Sequence, residues 1–217
     1  GKGSGFLARL EDLDHFFEEV FSEVTIPVSV KTRMGITDAE EFHRILEVYN
    51  KYPITCVTIH ARVQKEKYKG RLHLDVFEKA LENSKNPVCY NGDLRTVGEI
   101  RTFEEQFPQA DAVMIGRGAV ADPALLRKMR GGSAATREEL QAFLQDLYHS
   151  YQEFYGQVGT AAQRMREVWF YLIHMFEDAD KLNKKLRRFK NPGEYEAIEA
   201  AIFQELVLRT DSQGDLT

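Results

Sequence analysis

Four short apolar runs, each closing on polar side chains and each followed by a helix-like segment, constrain this chain more than any other feature. They are IPVSVKTRMG, ITCVTIHARV, NPVCYNGD and ADAVMIGRG, with strands expected over 26–31, 54–60, 87–91 and 111–115. Helical spacing marks 10–23, 38–51, 73–83, 97–106 and 121–130; the second of these carries a stripe of Phe42, Ile45, Leu46 and Tyr49. Strands that are nearly continuous in apolar residues are buried on both faces, as in a parallel sheet covered by helices. The Asn91-Gly92-Asp93 step is good turn chemistry, yet a helix follows it rather than a second hairpin strand. A parallel strand ending at its carboxyl edge, where such folds place their chemistry, accounts for it.

From residue 133 the pattern changes to helices alone, and RGGS at 130–133 is the natural linker. The expected organisation is α/β over residues 1–130 and all-α over 133–217. Four βα units are half of a (β/α)8 barrel, which takes about 250 residues. The expected fold is therefore the second half of such a TIM barrel followed by a helical bundle domain, with further sequence expected upstream.

Composition narrows the function classes. The 217 residues are 43% hydrophobic and 29% charged with a net charge of −5, so any nucleic-acid binding needs a local basic patch. The two cysteines, Cys56 and Cys89, lack metal or redox spacing and read as buried thiols of a reducing compartment. No apolar stretch approaches the ~20 residues of a membrane span and no signal peptide is visible, so a cytoplasmic protein is expected.

The strand ends carry the chemistry. Lys31 and Arg33, His60 and Arg62, Asn91 and Asp93, and Arg117 stand where apolar residues would continue the strands. Singly, each has a bland explanation: a solvated end, a satisfied histidine, a turn. Four in succession at one edge of one sheet point to a shared site. Gly116-Arg117-Gly118 follows the last strand and opens a helix, an arrangement suited to phosphate. Lys31 could place an ammonium beside the pyrimidine edge of a flavin.

In this order and spacing, PVSVKTRMG, IHAR with YKG, NGD and VMIGRGAVADP resemble the tRNA-dihydrouridine synthases, and GKGSGFLARLEDL resembles the segment after that family's catalytic loop. The resemblance implies FMN contacts from Lys31, His60, Asn91, Gly92, Asp93, Gly116 and Arg117, with NADPH as reductant. It implies that Arg33 and Arg62 face the flipped uridine and its phosphates, and that Tyr68 and Gly70 border the pocket. The family's proton donor is a cysteine in a Cys-Pro motif that would lie upstream of Gly1; Cys56 and Cys89, inside strands, do not match it. No catalytic residue is therefore expected in this chain, which taken alone is expected to be inactive.

The helical tail resembles the family's tRNA-recognition domain more loosely. KLNKKLRRFK supplies Lys184, Lys185, Arg187 and Arg188, and RMRE supplies Arg164 and Arg166, a patch suited to phosphates. Trp169-Phe170-Tyr171 reads as helix core rather than a stacking platform. A monomer acting on tRNA is expected. The alternatives are another FMN-dependent barrel acting on a small substrate, which would not need the basic tail, and a non-catalytic half-barrel that binds RNA.

Overall fold

The computed structural model describes residues 3–213 as two compact units, residues 3–94 with 101–115 and residues 95–100 with 116–213. The first unit holds β1 (Val30–Arg33), β2 (Val57–His60), β3 (Val88–Asn91) and β4 (Ala112–Met114). They form one parallel sheet in the order β1-β2-β3-β4. Helices α1 (Leu10–Glu23), α2 (Phe42–Tyr49), α3 (Leu74–Asn83) and α4 (Val97–Gln106) accompany the strands, α4 beginning among residues of the second unit. The fold is α/β with a four-stranded parallel sheet, as the alternation of strand and helix requires.

Side chains alternate between the faces of a strand, and the register makes two unlike faces. Val30 pairs with Val57 and Val57 with Val88, Thr32 with Ile59 and Ile59 with Tyr90. That face meets the helices: Tyr90 stacks on Phe103 at 4.0 Å and Phe77 meets Tyr90 edge-on at 5.0 Å. Thr32, the polar member, is matched by the buried Tyr49 hydroxyl, which donates to its Oγ1 at 3.0 Å. The opposite face carries Lys31, Arg33, Thr58, His60, Cys89, Asn91, Ala112 and Met114.

Two local departures have simple causes. β1 begins at Val30 rather than 26, because Pro27 has no N–H to give to a ladder. It also runs through Arg33, which therefore lies within the strand instead of beyond it. The helix expected over 121–130 is two short ones, α5 (Arg117–Ala121) and α6 (Leu125–Met129). Asp122, which precedes Pro123, is extended at φ −136°, ψ 93°, and that ends α5.

The second unit continues with α7 (Arg137–Tyr155), α8 (Val158–Leu172), α9 (Asp180–Leu186) and α10 (Pro192–Glu205). The ends of α7 are written locally: Thr136 and Glu139 form a capping box, and Gly156 takes the left-handed terminal position at φ 63°. Asn191 caps α10, with Pro192 in its first turn. The core gathers Leu144, Met165, Trp169, Leu172, Tyr195 and Ile202, all below 2% exposure. The stretch after 133 is not wholly helical, since Phe176 and Leu208 form an antiparallel bridge.

Candidate functional site

Two ladder rows cross the polar face of the sheet. Lys31, Thr58, Cys89 and Ala112 form one, and Arg33, His60, Asn91 and Met114 the other. The structure thus brings Lys31, Arg33, His60 and Asn91 together on adjacent strands. Thr58 and Cys89 belong to the same face, and only the period-two register identifies them. Cys56 and Cys89 are both unbridged, Cys89 buried.

The loops after the strands are braced to one another by these polar side chains. Arg62 is buried; its guanidinium donates to both carboxylate oxygens of Asp93 and its Nε donates to the Gly70 carbonyl at 2.6 Å. Arg33 Nη1 donates to the carbonyls of Val63 at 3.0 Å and Lys67 at 2.7 Å, with its guanidinium 5.5 Å from the exposed Tyr68 ring. Glu66 accepts from the Val63 amide and pairs with His73. Burial alone would raise its carboxyl; these two partners outweigh that and hold it below its ordinary value. Asn91 Nδ2 donates to Met114 O at 2.8 Å, tying β3 to β4. Gly92 is buried where a Cβ would lie 2.5 Å from the Tyr90 hydroxyl and 2.8 Å from Leu72 Cδ2, so packing alone demands glycine there. Asp93, at φ 33°, adopts the left-handed conformation that Asp tolerates.

The electrostatics are one-sided. Among the described residues neither Lys31 nor Arg33 forms an ion pair. Burial and the neighbouring Arg33 lower the Lys31 ammonium, and burial lowers Arg33. Burial, reinforced by Arg33, Lys31 and Arg62, pushes His60 down to about 4. His60 is therefore a neutral imidazole at pH 7, beside two cations that form no ion pair among the described residues. This donor set suits a ligand rich in carbonyl oxygens or carrying negative charge. Among the described residues no group of three His, Cys, Asp or Glu could hold a metal ion.

In the second unit Gly116 is the exposed residue before α5, with nothing within 4 Å of the place a Cβ would take. The open space leaves room for a ligand to approach the backbone. Arg117 is half-buried in the first turn of α5. The tail's basic residues divide sharply. Arg166 donates to Phe189 O at 2.8 Å and stacks on the Phe189 ring at 4.2 Å; Arg164 pairs with Glu167 at 2.8 Å. Lys184, Lys185, Arg187 and Arg188 are exposed and without ion pairs among the described residues, Arg187 lying 5.7 Å from the Phe170 ring. Trp169 is buried, donating toward Tyr195 and Glu199, whereas Phe170 is 39% exposed.

The depressed His60 basicity gives a direct test. A histidine held neutral stabilises the fold above its ordinary value of 6.5 and loses that contribution as pH falls through about 4. The His60 ring resonances should titrate at about 4 by NMR; a midpoint at 6.5 or above would contradict the burial and charge described.

Comparison with known proteins gives these features a context. A probable tRNA-dihydrouridine synthase of Rhizobium leguminosarum bv. phaseoli is 29% identical over 172 residues, 76% of this chain and 53% of the relative. tRNA-dihydrouridine synthase B of Proteus vulgaris is 27% identical over 209 residues, 91% of this chain and 64% of the relative. A tRNA-dihydrouridine(16) synthase of Cupriavidus necator is 26% identical over 204 residues, 91% of this chain and 63% of the relative. The chain spans about half the length of several of the relatives it matches. The family model described as dihydrouridine synthase (Dus) matches residues 1–207, and the chain belongs to that family.

Proposed function

We propose that the protein containing this chain reduces uridine to 5,6-dihydrouridine in tRNA, with FMN as cofactor and NADPH as reductant. The observation that carries the proposal is the polar face of the sheet, where Lys31, Arg33, His60 and Asn91 stand on two neighbouring ladder rows with no carboxylate paired to either cation. Bound FMN would supply hydride to the pyrimidine ring of the substrate. In this proposal residues 1–130 are the second half of a (β/α)8 barrel and residues 133–217 a helical tRNA-recognition domain. The setting is cytoplasmic; no helix among the described residues is long and apolar enough to cross a membrane.

Each residue has a role its surroundings support. Lys31 is exposed on the polar face, and partial desolvation together with the neighbouring Arg33 lowers its ammonium, so an anionic partner there offsets both effects. His60 offers a neutral ring, able to donate from one nitrogen without adding charge. Asn91 spends its amide nitrogen on Met114 O, which leaves its carbonyl oxygen as the acceptor. Arg62 and Asp93 position the loops, and with them Tyr68 and Gly70 at the edge of the site. Arg33 holds the loop through Val63 and Lys67, with its guanidinium beside Tyr68. For the phosphate we propose Gly116 and Arg117, where open space above the glycine permits close approach. No residue of this chain is assigned as the proton donor.

The proposal makes two measurable claims. The intact protein should purify with flavin and form dihydrouridine in unmodified tRNA with NADPH. Lys31→Ala and Arg117→Ala should lower flavin retention at least ~10-fold, as expected for losing a charge-assisted contact worth about 1.5–3 kcal/mol. Normal occupancy in both variants would refute the cofactor assignment. Replacing Lys184, Lys185, Arg187 and Arg188 by Gln should weaken binding to all tRNAs alike and make the salt slope shallower by roughly one unit per lost contact. Flavin reduction by NADPH should be unchanged. Unaltered affinity and slope would return these side chains to the status of a solvated face.

A further inference from the structure

A cleft of about 420 Å³ opens on the second unit between the end of α9 and the first half of α10. Its rim is cationic, with Lys184 and Lys185 from the last turn of α9 and Arg188 just beyond it. Its floor is apolar, from Phe189, Ala197 and Ile198. Glu194 is the one carboxylate on the lining, and it is already engaged. It accepts from the Lys190 amide at 2.8 Å and from Asn191 Nδ2 at 3.0 Å, closing the start of α10.

Two independent features set this cleft apart from an ordinary solvated groove. The three rim cations have no ion pairs among the described residues, whereas Arg164 and Arg166 on α8 are each matched by a partner. The floor is also fixed. Phe189 is buried under the Arg166 guanidinium at 4.2 Å and lies 5.5 Å from Tyr195, so it cannot swing out to fill the space. Three uncompensated cations around a rigid apolar floor suit a ligand with a flat apolar body and attached negative charge. The volume falls in the ~300–1,000 Å³ range of small-ligand sites.

We infer that this cleft seats one unstacked nucleotide of a single-stranded or looped RNA segment, its base over Phe189, Ala197 and Ile198 and its flanking phosphates on Lys184, Lys185 and Arg188. The inference rests on the proposal that the basic run binds tRNA, and goes beyond it. Phosphate contacts alone are indifferent to bases, whereas this cleft would read whether an unpaired base is available at that point of the RNA. It is a second nucleotide seat, separate from the residues assigned to the reacting uridine. Stacking on apolar and aromatic side chains tolerates any base, so the seat selects for local RNA structure and not for sequence.

The test compares a short single-stranded RNA without uridine with an abasic oligomer carrying the same number of phosphates, both binding to the intact protein and followed by fluorescence anisotropy. Wild type should prefer the RNA by about 5- to 150-fold, the range one stacked base contributes. Ala197→Leu, which fills the floor from an exposed helix position, should erase most of that preference and leave abasic affinity within about twofold. Ile198→Ala, which removes the floor instead, should lose the same base-dependent part. The Lys184→Gln, Lys185→Gln, Arg188→Gln triple variant should weaken both probes together. Equal wild-type affinity for the two probes, or a preference that survives both floor variants, overturns the seat while the basic-run reading stands. A triple variant that binds both probes as wild type does overturns the two together.

Discussion

A buried guanidinium decides the shape of the candidate site. Arg62 sits at 4% exposure, with Asp93 across its fork and the Gly70 carbonyl on its Nε. It thereby joins the loop after β2 to the turn after β3, while Arg33 joins β1 to the same β2 loop. Hydrogen bonding to Asp93 is the largest influence on Arg62 and holds it more firmly protonated than usual. Loss of Asp93 would leave a buried charge without its partner, a cost of about 3–5 kcal/mol. The Asn91-Gly92-Asp93 turn is thus a tripod: Asn91 ties β3 to β4, Gly92 admits the Tyr90 hydroxyl, and Asp93 holds Arg62.

Ion pairing divides several of the chain's cations into two groups. Arg62, Arg127 and Lys128 have carboxylates within 3 Å and hold elements together, and Arg164 has one within its own helix. Lys31, Arg33, Lys184, Lys185 and Arg188 have none among the described residues. The first two crowd a neutral His60 on the sheet, and the last three rim an apolar cleft on the helical unit. Positive charge grouped in this way without carboxylate partners favours the approach of anions.

Much of this was legible from residue order alone. The four βα units, the parallel sheet and the polar strand ends follow from apolar runs broken by Lys31, His60, Asn91 and Arg117. What pairing decides was hidden. Thr58 and Cys89 join the polar face only through the register, and nothing local in the sequence shows that Arg62 pairs with Asp93, 31 residues on. Arg166 looked equivalent to Lys184 until the Phe189 carbonyl and ring engaged it. The break of the 121–130 helix, by contrast, was written in Asp122-Pro123. The cleft between α9 and α10 depends on side chains from two helices meeting, and no periodicity announces such a meeting.

The account's central claim is that these two groups of uncompensated cations serve the reduction of uridine in tRNA. It is tested most directly by deleting the gene that encodes this chain and measuring dihydrouridine in bulk tRNA by mass spectrometry. At one or more tRNA positions dihydrouridine should disappear and be replaced by unmodified uridine. The wild-type gene should restore it, and a copy carrying Lys31→Ala should not. Dihydrouridine unchanged at every position in the deletion strain would contradict the account.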